Sequence, residues 1–149
     1  MGKTKAFFDT NVLLYLLSED TAKADCAEAI LAKGGVVSVQ VLNEFASVAS
    51  RKLRMTYPEI REELDIVRAI CKVEPLTVDT HERGLQLAER YGFSLYDAMI
   101  AAAALRAGCT LLYTEDLQDG QTLEGRLLVH NPFNVGANLF APAPTTMAE

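Results

Sequence analysis

Long apolar runs, paired cysteines, an excess of basic charge and clustered histidines are all missing from this 149-residue chain, and each absence removes a class of function. No stretch approaches the roughly 18 uncharged apolar residues of a membrane span. The longest, Leu95 to Leu105, is short and carries a charge. The opening MGKTK shows no signal-peptide pattern, because Phe7-Phe8 runs at once into Asp9, and position 6 is Ala where myristoylation wants Ser or Thr. Cys26, Cys71 and Cys109 are odd in number, far apart and without a CxxC. They read as small buried residues of a reducing compartment, so a cytoplasmic location with no membrane partner is expected. Lys and Arg number 14 against 20 Asp and Glu, a net charge of -6, so nothing draws the chain as a whole to nucleic acid. His81 and His130 form no paired metal-binding spacing, which argues against zinc.

What the chain does have is apolar content, half of its residues, enough for one domain's core. KAFF (residues 5–8) reads as a strand that stops at Asp9, with helical spacing from Val12 to Leu17. A second helix is expected over 22–33, capped by Asp20 or Thr21 and ended by Gly34-Gly35. Val36–Val39 reads as a strand leading into a helix over 40–54. Thr56-Tyr57-Pro58-Glu59 combines a capping box with Pro in the first turn of the next helix, which runs to about Lys72. A strand over 73–78 and a helix capped at Asp79 and ending near Tyr91-Gly92 follow. Ser94 starts another helix, Gly108 stops it, and Leu111–Tyr113 and Leu127–Val129 complete the strands. Alternating strands and helices imply an α/β fold around a mainly parallel sheet, with ligands beyond the carboxyl ends of its strands. Residues 1–134 read as one domain and 135–149 as a loose tail.

Four carboxylates stand where the local pattern is apolar. Asp9 is the only charge between Lys5 and Glu19, Glu44 the only one between Lys33 and Arg51, and Asp97 the only one between Arg90 and Arg106. Asp116 follows the strand LLYT, beside Glu115 and three residues before Asp119. Asp9 and Asp116 fall just past strands, Glu44 one turn into the helix after the second strand, and Asp97 in the first turn of a helix apolar nearly all round. All four can therefore converge at one end of the sheet. Each also has a plain structural use. Asp9, Asn11 and Asp97 suit helix caps, Glu44 can pair with Arg51 two turns later, and Asp116 and Asp119-Gly120 suit turns.

Converging carboxylates raise one another's pKa unless a cation intervenes, and no Lys or Arg stands close to any of the four. An all-oxygen site is what Mg²⁺ or Mn²⁺ prefers, and such a site suits phosphodiester hydrolysis by an activated water.

FFDTNVLL near the start, NEF on the third helix, SLYDAMIAAAAL and LLYTEDLQDGQ, in that order and spacing, resemble the PIN-domain family, and within it the toxin ribonucleases of VapBC toxin-antitoxin pairs. The resemblance spans about residues 5–133. It implies a three-layer α/β/α sandwich and metal-dependent endonucleolytic cleavage of RNA. It also implies a homodimer and a VapB-like antitoxin that packs into a hydrophobic groove. The family's metal-binding and catalytic acids fall on Asp9, Glu44, Asp97 and Asp116, with Glu115 and Asp119 competing for the last position. Its supporting polar residues fall on Asn11, Ser94 and Thr114. Arg51, Lys52 and Arg54 are candidate RNA contacts, or else solvated charges at a helix end.

Two other enzyme classes fit less well. A HAD-type phosphatase wants an acid where Asn11 stands, and a receiver domain wants a Lys where Thr114-Glu115-Asp116 stands. A PIN-fold interaction module without activity predicts lost acids, whereas all four positions are filled. A housekeeping PIN nuclease of RNA maturation matches the same motifs.

Overall fold

A computed structural model describes residues 4–134, so the expected tail over 135–149 lies outside the described residues. Six strands form one sheet in the order β3-β2-β1-β4-β6-β5. They are β1 (Ala6–Phe8), β2 (Gly35–Ser38), β3 (Cys71–Glu74), β4 (Leu111–Tyr113), β5 (Thr122–Leu123) and β6 (Leu127–His130). All pairings are parallel except β5 with β6. Neighbouring residues of a strand face opposite sides, and Phe7 with Phe8, like Val36 with Val37, are both buried. Both faces of the sheet are therefore covered by helices, as an α/β sandwich requires.

The helices are α1 (Thr10–Tyr15), α2 (Thr21–Leu31), α3 (Val39–Arg51), α4 (Tyr57–Ile70), α5 (Val78–Tyr91) and α6 (Leu95–Arg106). Their caps are largely those the sequence announces. Asp20 caps α2, Thr56 and Glu59 form a reciprocal capping box on α4, Ser94 caps α6, and Gly92 ends α5 in the left-handed conformation. Eight consecutive residues of α6, Ala98 to Leu105, are buried, so this helix lies inside the molecule.

Two expectations are corrected and one strand is added. The third strand is Cys71–Glu74 rather than 73–78, because Pro75 brings no N–H to a ladder. The fifth helix is capped by Thr77, whose hydroxyl accepts from Thr80 N, while Asp79 sits in its first turn. β5 carries no apolar alternation and is an addition. It is made by a tight turn at Glu124 and Gly125, both with positive φ, and Glu124 is held there by Tyr91 and Arg90.

The chain steps outward from β1 to β2 and β3, then returns across β1 to β4 on its other side. β1 and β4 thus flank the point where strand order reverses, and their carboxyl ends open a crevice there. Phe8 pairs with Tyr113, so the next residues, Asp9 and Thr114, leave the sheet side by side. No helix among the described residues is long and apolar enough to cross a membrane.

Candidate metal centre

Asp9 ends β1 and caps α1. Its Oδ1 accepts from Thr10 N at 2.7 Å and its Oδ2 from the Thr114 hydroxyl at 2.8 Å. The same Thr114 oxygen accepts Asp116 N at 3.0 Å, which folds the chain after β4 back toward Asp9. Asn11 Nδ2 donates to Asp116 Oδ2 at 3.1 Å. From the other side, α6 begins at Ser94, whose hydroxyl accepts Asp97 N at 3.2 Å and sets Asp97 in the first turn. Asp9, Asp97 and Asp116 each bring a carboxylate oxygen to within 4.8 Å of the others. Asp9 is buried, Asp97 half-buried and Asp116 exposed, so the cluster grades from the core to the surface.

The electrostatics of this arrangement are unfavourable as it stands. Burial pushes the Asp9 carboxyl up to about 7, against the opposing bonds from Thr114 and Thr10, and the charges of Asp116 and Glu44 add to the rise. Asp97 is raised as well, by burial first and then by Asp116 and Glu44, with Ser94 opposing. Among the described residues, no Lys, Arg or His forms an ion pair with any of the three. Asn11 Oδ1 is buried without a hydrogen-bond partner among the described residues, on the amide whose nitrogen holds Asp116. Three convergent carboxylates form an all-oxygen donor set of the kind that hard divalent cations take.

A family model described as PIN domain matches residues 6–118, well over half of the chain. The chain belongs to the PIN-domain family. No curated protein matches it in sequence. Among solved structures, this PIN domain is similar to a toxin-antitoxin complex from Klebsiella pneumoniae, with TM-score 0.64 and 24% identity over 86% of this chain and 98% of that one. It is also similar to VapC20 of Mycobacterium tuberculosis, described as a sarcin-ricin loop cleaving toxin, with TM-score 0.62 and 21% identity over 75% and 90% of the two chains. A third is VapBC2 from Rickettsia felis bound to a promoter DNA fragment, with TM-score 0.61 and 19% identity over 86% and 100%. At these identities the likeness is one of fold.

Within this PIN domain the fourth expected acid, Glu44, stands outside the cluster of three. Its Oε1 accepts from the Thr10 hydroxyl at 2.6 Å and its Oε2 from Gln40 Nε2 at 3.2 Å. It is near enough for its charge to raise both Asp9 and Asp97. The alternative pairing with Arg51 is not among the ion pairs of the described residues; Arg51 Nε donates to Ser47 Oγ instead.

The three acids after β4 take different partners. Glu115 takes the Tyr15 hydroxyl at 2.9 and 3.0 Å. Asp119 takes Asn131 N at 3.0 Å and lies 3.4 Å from His130 Nδ1. Of these three acids, only Asp116 joins Asp9 and Asp97. Arg51 ends α3 about 10 Å along the helix from Glu44 by its rise per residue, and Arg51, Lys52 and Arg54 are all exposed. Thr10 and Gln40 are the site residues that motif reading passes over. The signal for Gln40 is a polar residue inside VVSVQVL, one helical turn before Glu44.

Proposed function

We propose that this PIN domain is a metal-dependent endoribonuclease that cuts RNA phosphodiester bonds, and that it is the toxin of a toxin-antitoxin pair. The observation that carries the reading is the meeting of Asp9, Asp97 and Asp116 within 4.8 Å, with no protein cation paired to them among the described residues. Asp9, Asp97 and Asp116, with Glu44 beside them, would hold Mg²⁺ or Mn²⁺. A divalent cation there supplies Lewis-acid chemistry toward a phosphodiester, activating water and offsetting phosphate charge.

The chain's own residues do the rest. Thr114 and the Thr10 amide hold Asp9 in one orientation. Asn11 holds Asp116 at the exposed side, the side open to a polymer. Arg51, Lys52 and Arg54, exposed at the end of α3, would offer positive charge to an RNA backbone on a chain of net charge -6. The fold shared with toxin-antitoxin complexes supports a VapB-like antitoxin partner, a homodimer and a cytoplasmic setting as parts of the same proposal.

Purified protein, freed of any antitoxin, is incubated with a total-RNA pool in Mg²⁺, Mn²⁺ or EDTA, beside Asp97→Asn. Discrete cuts that need metal and vanish in a folded Asp97→Asn are expected. Absence of cutting together with absence of Mn²⁺ binding by calorimetry overturns the reading.

A further inference from the structure

We infer that Gln40 is a positioning residue that locks the Glu44 carboxylate to the first turn of α6, where Asp97 sits, and so sets the geometry of the metal centre. The inference rests on the proposed function, because it concerns the same site.

Gln40 is a polar side chain only 7% exposed. Its Nε2 donates to Glu44 Oε2 at 3.2 Å and to the Tyr96 carbonyl oxygen at 3.2 Å. A primary amide has two N–H donors, so both are spent on this bridge. The amide cannot be turned over without placing its oxygen against a carboxylate and a carbonyl, two acceptors. Its orientation is therefore dictated by its neighbours.

The bond to Tyr96 is not there to rescue a lone backbone group. That carbonyl already lies in the first turn of α6, where it accepts within the helix, and its second lone pair takes the Gln40 proton. What the bridge adds is a fixed relation between α3 and the residue immediately before Asp97. Thr10 completes the arrangement by donating to the other Glu44 oxygen, so each oxygen accepts one hydrogen bond among the described residues. Outer partners of this sort commonly change metal affinity by about 10- to 100-fold when removed.

The test uses Gln40→Met, which keeps length and apolar bulk but removes both donors, with Gln40→Leu as a second variant. Mn²⁺ affinity is read by titration, and folding by circular dichroism and thermal melting. A melt near that of the wild type with Mn²⁺ binding weakened about 10- to 100-fold is expected. The same change is then made in Glu44→Asp, which keeps the charge but draws the carboxylate away from Gln40. There, Gln40→Met should cost no more than about two- to threefold, since acting through Glu44 makes the two changes non-additive.

Unchanged Mn²⁺ affinity in Gln40→Met overturns the inference, as does an equal loss in the Glu44→Asp background. Failure of both Gln40 variants to fold also overturns it, by making the amide a structural bond of the core. Absence of Mn²⁺ binding by the wild type instead overturns the reading of the site itself.

Discussion

The Thr114 hydroxyl donates to Asp9 Oδ2 at 2.8 Å and accepts Asp116 N at 3.0 Å, so a single buried oxygen ties together the acids that end β1 and follow β4. Thr114→Val keeps the branched shape and removes both bonds. Mn²⁺ affinity measured by calorimetry should fall about 10- to 100-fold, whereas Thr114→Ser, which keeps the oxygen, should stay within a few-fold of wild type. Equal losses in the two variants would assign the effect to packing.

Without divalent metal, stability should decline as pH rises. The folded Asp9 carboxyl titrates at about 7 against an ordinary 3.8, so between those values the native state binds more protons than the unfolded one. The slope of unfolding free energy with pH is then negative for this group. Its stabilising share is full below pH 3.8 and gone above about 7, at most about 4 kcal/mol by the usual conversion. In EDTA, the melting temperature of the wild type should drop relative to Asp9→Asn from pH 4 to pH 7. Mn²⁺ at pH 7 should raise that of the wild type and leave Asp9→Asn nearly unmoved.

The three acids after β4 should separate cleanly. Asp116→Asn is expected to abolish metal-dependent cleavage and weaken Mn²⁺ binding by at least tenfold, while Glu115→Gln leaves both nearly intact, because Glu115 serves Tyr15. Asp119→Ala should cost about 1 kcal/mol of stability through its Asn131 and His130 contacts, with Mn²⁺ affinity unchanged. A loss of metal binding in Asp119→Ala would reassign the site.

Gly35 and Gly84 should respond differently to alanine. A Cβ at Gly35 meets Ala6 O and the Phe8 ring at 2.6 Å, with φ at +157°, so Gly35→Ala should lose about 1–3 kcal/mol or more in a denaturant melt. At Gly84 the close atom is Met99 Cγ at 2.8 Å, a flexible side chain, and the host is a helix that alanine favours by about 1 kcal/mol. Gly84→Ala should remain within about 1 kcal/mol of wild type. A larger loss would mean that Met99 has no room to move.

RNA binding should depend on salt through few charges. Lys52→Gln is expected to weaken binding to catalytically blocked Asp97→Asn protein and to lower the slope of log affinity against log salt by about 0.7 to 1. An unchanged slope would make Lys52 an ordinary surface charge.

The helices were legible because each begins with a side chain that can cap it and ends at a glycine or a change of pattern, as at Thr56, Ser94 and Gly92. Where the signal belonged to the tertiary structure, reading it from sequence failed. Glu124 adopts positive φ in a turn where Tyr91 and Arg90, distant in sequence, bond its carboxylate, and no local pattern announces β5. Thr77 and Asp79 both suit a cap, and the backbone after Pro75 chose Thr77.

The isolation of Asp9, Glu44, Asp97 and Asp116 among apolar neighbours follows from the sequence alone, because an unpaired charge in an apolar run is conspicuous without any coordinates. Which of these acids share one space does not. That was decided by the parallel pairing of β1 with β4, which sets Asp9 beside Thr114, and by the fold of the loop that brings Asp116 back. Glu44 is held beside them by Thr10 and Gln40, donors that lie 34 and 4 residues away along the chain. Residue type and spacing fix what a side chain can offer. Hydrogen bonds between distant segments fix where it is offered.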